Sequence, residues 1–195
     1  MNQIFYNWNI VLGSSSPRRQ DLLSRLGIEF EIRTKDFDEQ IVEEIPNHEQ
    51  PEFLARRKSK QLELRAGECL ITSDTSVLYQ NKILNKPKDE QDAFEMLNEL
   101  NGNWHEVWTG VALRTTEKMH SFSTMTKVHL REMKDEFLRS YIADYNPYDK
   151  AGAYGIQEYF GYVVVDKIEG CYLNVMGLPL SNLKFELDHF LNLRK

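Results

Sequence analysis

Residues 10–19 read IVLGSSSPRR and predict a strand, a short loop and the start of a helix. The apolar run 10–12 is typical of a buried strand, and Gly13 with three serines forms a small-residue loop. Pro17 suits the first turn of a helix, with Ser16 as its N-cap, and Gly27 suits the position just after it. We therefore expect a first helix over 17–26.

Strands and helices alternate along the rest of the chain, without an internal repeat or a linker. Further strands are predicted near 28–32, 69–71, 104–115, 120–130, 162–165 and 171–175, with a hairpin turn at 80–81. Further helices are predicted near 51–65, 89–100, 137–142 and 178–191. A mixed order of this kind indicates an α/β or α+β domain with a mixed sheet.

The charge balance disfavours two classes of partner. The chain has 195 residues, with 24 Lys and Arg against 30 Asp and Glu, for a net charge of -6. A protein that binds nucleic acid or an anionic membrane surface non-specifically needs a basic face. There is no apolar run of 18 residues, and the N-terminus lacks signal-peptide features. We expect no nucleic-acid partner, no membrane partner and a cytoplasmic location, with Cys69 and Cys171 as buried thiols.

The loop at 13–16 and the two arginines after it suit an anion. Backbone N–H groups at a helix N-terminus point toward an incoming anion, and the Ser14 hydroxyl adds a donor. The guanidinium group of Arg18 or Arg19 can bind two phosphate oxygens at once. An ordinary N-cap followed by a solvated basic pair explains the same residues. Neither GxxxxGK[ST] nor GxGxxG is present.

Carboxylates cluster in two places. Asp74, within Ser73-Asp74-Thr75, is expected at the end of a strand, where a carboxylate suits metal binding or general-base work. Asp38 and Glu39 follow Asp36, and such hard oxygen ligands suit Mg²⁺ or Mn²⁺ with a phosphate substrate. The alternatives are an Asp that caps a turn and an acidic surface loop.

Two lysines and one glutamine complete the candidate residues. Lys58 lies in a basic stretch of a predicted helix, and Lys86 precedes Pro87, which restricts the backbone around it. Small residues in 149–157 permit close backbone approach, and Gln157 offers a base edge one donor and one acceptor group. The alternatives are that the lysines lie on a solvated surface and that 149–157 is a tightly packed loop. The five histidines show no zinc-ligand spacing.

Six motifs in one order resemble the Maf family of nucleoside triphosphate pyrophosphatases, also called septum-formation-inhibitor proteins. They are LGSSSPRR at 12–19, DE at 38–39, SDT at 73–75, NKP at 85–87, KAGAYGIQ at 150–157 and NVMGLPL at 174–180.

The resemblance implies one domain over 1–195 with an α/β fold. A mixed central β-sheet would be flanked by helices, in two lobes with a cleft, similar to inosine-triphosphate pyrophosphatases. It also implies hydrolysis between the α and β phosphates to a nucleoside monophosphate and pyrophosphate. A divalent cation, Mg²⁺ or Mn²⁺, and often a homodimer accompany this activity.

The resemblance also implies roles for individual residues. Asp74 resembles the catalytic base, and it would bind the metal with Asp38 or Glu39. The substrate-binding residues would be Ser14, Arg18, Arg19, Lys58 and Lys86.

Three positions indicate a branch of the family. Arg18, Thr75 and Gln157 follow the pattern of the dTTP and UTP pyrophosphatases, whereas another branch prefers 7-methyl-GTP and has other residues there. A nucleotide-binding regulator of cell division without turnover is a second hypothesis. Binding alone needs the cations but not Asp74, so the sequence favours the enzyme.

Overall fold

The computed structural model describes residues 7–37 and 40–192, in which strands and helices alternate. The strands are β1 Asn9–Leu12, β2 Phe30–Ile32, β3 Glu68–Tyr79, β4 Lys82–Leu84, β5 Trp104–Arg114, β6 Met119–Leu130 and β7 Val165–Glu169. The helices are α1 Pro17–Ser24, α2 Gln50–Gln61, α3 Glu90–Leu100, α4 Asp135–Tyr145, α5 Tyr159–Val164, α6 Tyr172–Val175 and α7 Leu180–Phe190. Two short 3-10 turns, Pro147–Asp149 and Ala151–Ala153, follow α4.

One mixed sheet contains all of these strands, in the order β2-β1-β3-β5-β6-β7, with β4 paired to β3. Strand β1 runs parallel to both of its neighbours, with Ile10 opposite Phe30 on one side and Cys69 on the other. The pairs β3–β4 and β6–β7 are antiparallel. The expected α/β fold, with a mixed sheet flanked by helices, is confirmed.

The chain divides into two compact units, and the boundaries fall inside β3, β5 and β6. The first unit holds the described residues up to Asp74, Thr109–Thr124 and those from Gly177 onward, and the second holds Thr75–Trp108 and Met125–Met176. This division agrees with the two lobes expected from the sequence, while the cleft stays a prediction. Each unit has apolar packing of its own, around Val11, Leu62 and Leu70 in the first and around Leu97, Val128, Tyr141 and Phe160 in the second.

Local signals in the sequence placed several boundaries correctly. Helix α1 begins at Pro17 with Ser16 at the N-cap, and the Asp89 side chain caps α3 by accepting from the Asp92 N–H at 2.9 Å. The hairpin between β3 and β4 turns at Gln80 and Asn81, whose φ angles are 47° and 63°. These left-handed values fit a two-residue hairpin turn.

Two predicted strands are wrong, and packing explains why. Residues 162–165 were expected to be extended because of their three valines, but α5 runs to Val164 before β7 begins. Phe160 and Val164, one helical turn apart, are both buried, whereas Tyr162 between them is exposed. A Cβ on Gly161 would lie 1.9 Å from the Ile156 carbonyl oxygen, so this helix packs directly on backbone.

The predicted strand 171–175 is instead the short helix α6. Its Asn174 side chain is buried and donates to the Val107 carbonyl and to the Thr126 hydroxyl, each at 3.0 Å. Helices α1 and α2 also end earlier than predicted, at Ser24 and Gln61.

The cysteines agree with the prediction in part. Cys69 is buried in β3, and burial raises the pKa of its thiol to about 12, so it behaves as an inert core residue. Cys171 is half-buried rather than buried, and no disulfide joins the two. Within residues 7–37 and 40–192, no helix combines the length and apolar character that crossing a bilayer would require.

Candidate active site

The loop after β1 is held tightly against β3. The Gly13 N–H donates to the Ile71 carbonyl at 2.8 Å, and a Cβ on Gly13 would lie 2.6 Å from the Thr72 side chain. Only glycine fits this close approach, which explains why the small-residue loop starts there. Ser14 follows and is buried, with its hydroxyl 3.3 Å from the backbone N–H of Ser16.

Arg19 contacts this loop and a distant segment of the first unit. Its Nε donates to the Gly177 carbonyl at 3.0 Å, and its Nη1 lies 3.5 Å from the Ser14 hydroxyl. The Ser73 hydroxyl also points to the Gly177 carbonyl, at 3.4 Å. Gly177 was not predicted as a site residue, although it lies in the NVMGLPL motif. Gly177 contributes its backbone oxygen, and a prediction based on side-chain chemistry does not detect such a contact.

Asp74 and Lys58 form a close ion pair. The Lys58 Nζ lies 2.6 Å from the Asp74 Oδ1, and each side chain is only 13% exposed. The pair joins α2 to β3, and the Thr72 hydroxyl reinforces this junction by donating to the Ala55 carbonyl of α2 at 2.7 Å. A charged hydrogen bond this short and this shielded from water fixes the direction of the carboxylate.

The expected position of Asp74 at a strand end is wrong. Strand β3 runs from Glu68 to Tyr79, so Asp74 lies inside it. The polar run 72–76 looked like a terminus, but the strand continues because Val77 and Leu78 pair with β4.

In the first unit, Ser14, Arg19, Ser73 and Gly177 form one set of contacts, and Lys58 with Asp74 forms another. The two sets are joined through the chain, because Ser73 and Asp74 are consecutive. We call these six residues the Asp74 cluster. Arg18 belongs to the same helix as Arg19 and is half-buried. Asp38 and Glu39 lie outside the described residues. The residue before them, Phe37, has its ring centroid 5.5 Å from the Lys58 Nζ.

The second unit brings the NKP and KAGAYGIQ motifs together. The Gly152 N–H donates to the Asn85 carbonyl at 3.3 Å, next to Lys86, which is exposed. Gly152 has a φ of 68°, and a Cβ there would press on Val77 at 3.1 Å. Both the backbone conformation and the packing therefore require glycine.

Gln157 ends this segment and is half-buried. Its Nε2 donates to the Glu158 Oε1 at 3.0 Å, and the Glu158 Oε2 lies 3.4 Å from the Lys150 Nζ. We call residues 149–158 the Gln157 loop. Glu158 was not among the predicted site residues, because the recognisable motif stops at Gln157.

A buried hydrogen bond joins the Gln157 loop to strand β5. The His105 Nε2 and the Tyr154 hydroxyl are 2.7 Å apart, and both side chains are buried. Burial, aided by the nearby charge of His129, lowers the pKa of His105 to about 3, and burial raises the pKa of Tyr154. Both groups are therefore neutral near pH 7, and the pair acts as a structural hydrogen bond.

The two units thus differ in chemistry. The first presents a glycine–serine loop, an arginine and a lysine-paired aspartate, which is the set that a phosphate-handling α/β protein needs. The second presents an amide and a loop of small residues. Taken one unit at a time, these side chains suit an anion in the first unit and a polar, hydrogen-bonding group in the second.

Comparison with known proteins is more specific, because the Maf-like protein family matches residues 9–190. The chain belongs to the Maf family, and the predicted resemblance is confirmed. A dTTP/UTP pyrophosphatase of Flavobacterium johnsoniae is 46% identical over 178 residues, covering 90% of this chain and 92% of that protein. A dTTP/UTP pyrophosphatase of Bacteroides thetaiotaomicron is 43% identical, with coverages of 92% and 95%.

The chain also bears a partial likeness to solved structures. The dITP/XTP pyrophosphatase of Mycobacterium abscessus aligns with a TM-score of 0.42 at 15% identity, covering 64% of this chain and 75% of that one. The Staphylococcus aureus Ham1 protein aligns with a TM-score of 0.43 at 11% identity, covering 63% and 71%. TM-scores this low lend no support to any particular activity.

Proposed function

We propose that this chain hydrolyses nucleoside triphosphates to the monophosphate and pyrophosphate, with dTTP and UTP preferred. The observation that carries the proposal is the shielded Lys58–Asp74 pair, adjacent in sequence to Ser73, whose hydroxyl shares the Gly177 carbonyl with Arg19. The names of relatives at 41–46% identity support the same class of enzyme.

Charge neutralisation is the first requirement of this reaction. A nucleoside triphosphate carries about four negative charges near neutral pH, and more charge develops on the departing pyrophosphate. We assign its neutralisation to Arg18, Arg19, Lys58 and Lys86, with Ser14 and the N-terminus of α1 as further donors. A chain of net charge -6 can bind such an anion only by concentrating cations locally.

Asp74 is assigned as the general base. A water oxygen attacks the α-phosphorus in line, the bond from that phosphorus to the α–β bridging oxygen breaks, and pyrophosphate leaves. The proton of the water passes to Asp74. The Lys58 Nζ contact at Oδ1 holds the carboxylate in one orientation, so its second oxygen has a defined direction.

The donor chemistry fits a divalent cation of the Mg²⁺ or Mn²⁺ kind. Asp74 supplies a hard carboxylate oxygen, and Asp38 or Glu39 would supply another. Within the described residues, no three His, Cys, Asp or Glu side chains lie close enough together to form a metal site. When bound, the metal supplies charge neutralisation and a more acidic water.

Base choice is assigned to Arg18, Thr75 and Gln157. One amide can donate to O4 and accept from N3–H of thymine or uracil, and cytosine reverses both groups. A mismatched base leaves polar groups of the site without partners, which costs a large factor in kcat/KM. UTP and dTTP should therefore exceed CTP.

We also propose that residues 1–195 act as one functional domain, as a homodimer in the cytoplasm, with a nucleoside triphosphate as the ligand and no nucleic-acid or membrane partner. The family match over 9–190 supports the single domain. Size-exclusion chromatography with light scattering tests the oligomeric state, and a monomer under assay conditions would contradict the dimer.

Pyrophosphate release from a nucleotide panel tests the function. The panel is dTTP, UTP, CTP, GTP and 7-methyl-GTP, each with Mg²⁺, with Mn²⁺ and with a chelator. We expect metal-dependent release of pyrophosphate, largest with dTTP and UTP. Highest turnover of 7-methyl-GTP would overturn the substrate preference. Tight nucleotide binding with no product would instead identify a non-catalytic regulator.

A further inference from the structure

Gln157 is the last member of a chain of polar contacts within the second unit. The Lys150 Nζ lies 2.6 Å from the Asp149 Oδ1 and 3.4 Å from the Glu158 Oε2. The other oxygen of Glu158 accepts from the Gln157 Nε2 at 3.0 Å. Lys150 thus fixes one oxygen of Glu158, while the other oxygen faces the amide.

This contact decides which way the amide of Gln157 points. A carboxylate only accepts hydrogen bonds, whereas an amide has a donating and an accepting end. Turning the amide by 180° would place its oxygen against the Glu158 oxygen and exchange an attraction for a repulsion. Glu158 therefore holds the nitrogen of Gln157 toward itself and leaves Oε1 and the second N–H for other partners.

The surroundings make this arrangement rigid. The side chain of Lys150 is only 10% exposed, and that of Glu158 is 31% exposed. A Cβ on Gly155 would lie 2.8 Å from the Glu158 Cδ and 2.9 Å from the Gln157 Nε2, so both side chains pack against this glycine. The Tyr162 hydroxyl donates to the carbonyl of Gln157 and holds its backbone.

We propose that Glu158 is a specificity-determining residue, which positions the Gln157 amide to accept from N3–H and donate to O4 of uracil or thymine. The proposal rests on the proposed function, in which Gln157 reads the base. An amide free to turn would match cytosine equally well, because cytosine presents an acceptor at N3 and a donor at N4. The base selectivity thus depends on Glu158 as well as on Gln157.

The variant Glu158→Gln tests this role. Its new amide keeps the size of the side chain but can donate as well as accept, so Gln157 is free to turn. We expect the UTP to CTP ratio of kcat/KM to fall roughly tenfold, mainly because CTP hydrolysis rises. The control Glu169→Gln removes the same charge at an exposed position of the second unit and should keep the wild-type ratio.

A second variant covers the case in which Glu158→Gln folds poorly. Gly155→Ala keeps every charge but displaces Glu158 and Gln157, and it should lower the same ratio. Thermal unfolding of each variant checks that the protein assayed is folded. A wild-type ratio in folded Glu158→Gln, or in folded Gly155→Ala if the first variant fails to fold, would overturn the proposal.

The variant Gln157→Ala separates this proposal from the proposed function. If the ratio falls in Gln157→Ala but not in Glu158→Gln, then Gln157 reads the base and Glu158 does not orient it. If Gln157→Ala keeps the wild-type ratio, the assignment of Gln157 itself is wrong, and the proposed role of Glu158 is wrong as well. If both act together, the double variant should show the ratio of Gln157→Ala alone.

Discussion

Each unit of the molecule contains a lysine–carboxylate contact. The two contacts differ in the structural elements that carry them. Lys58 and Asp74 face each other from a helix and a strand, with Nζ and Oδ1 2.6 Å apart. Lys150 contacts two carboxylates, Asp149 and Glu158, on a loop. The first pair is fixed by regular elements, and the second by its own network.

The difference agrees with the proposed division of labour, in which Asp74 acts in catalysis and Gln157 reads the base. A reacting group must be held within a fraction of an ångström, which strands and helices achieve better than loops. Recognition of a base needs an amide whose donor and acceptor are not interchangeable, and a charged network provides this orientation. The Asp74 cluster is therefore expected to set the rate for every substrate, and the Gln157 loop to set the choice among them.

The largest expected effect comes from Asp74→Asn. This change keeps the size of the side chain and removes the proposed base, so turnover of UTP should fall by roughly 10²-fold or more. Nucleotide binding, measured by calorimetry, should persist. Asp21→Asn is the matched control, since Asp21 pairs with Arg25 on the exposed face of α1. Near-normal turnover in Asp74→Asn would remove the assignment.

The next largest effects are expected from the cationic side chains assigned to phosphate binding. Alanine at Arg18, Arg19 or Lys86 should cost about 2–4 kcal/mol of transition-state stabilisation wherever the side chain contacts a phosphate. The measurement is kcat/KM for UTP in each variant, with Arg25→Ala, directly after α1, as the control. Urea unfolding separates a folding defect, which is relevant for Arg19 because it contacts Gly177. A residue whose loss changes neither kcat nor KM has no role in phosphate binding.

The smallest effect is a pH dependence of stability in the second unit. Because the pKa of His105 is lowered to about 3, its contribution is complete above the ordinary value of 6.5 and is lost as pH falls from there toward 3. The free energy of unfolding should decrease by up to about 1.4 kcal/mol per pH unit from this group.

Urea unfolding between pH 6.5 and 5 measures this slope in the wild type and in His105→Gln, which cannot titrate. This pH range lies above the pKa of Glu68, which the hydrogen bond from Arg33 lowers to about 2. We expect a shallower slope in the variant, and equal slopes would contradict the role of His105.

The sequence predicted local backbone features better than the contacts that form on folding. The strand–loop–helix at 10–19 and the hairpin at 80–81 follow from local signals, because glycine, proline and asparagine restrict the backbone directly. Helix α5 does not, since its valines favour a strand, and the helix depends on the burial of Phe160 and Val164 and on the close approach of Gly161 to Ile156. Gly177 and Glu158 were missed for a related reason, because a carbonyl and a flanking carboxylate acquire their roles only through folding.

The most direct test of the division of labour compares UTP with CTP in Asp74→Asn and Gln157→Ala. The measurement is kcat/KM for both substrates, by pyrophosphate release, in the wild type and the two variants. We predict that Asp74→Asn lowers both values by the same factor and keeps the wild-type ratio, whereas Gln157→Ala brings the ratio toward one. A changed ratio in Asp74→Asn, or a wild-type ratio in Gln157→Ala, would contradict the assignment of rate to one unit and base choice to the other.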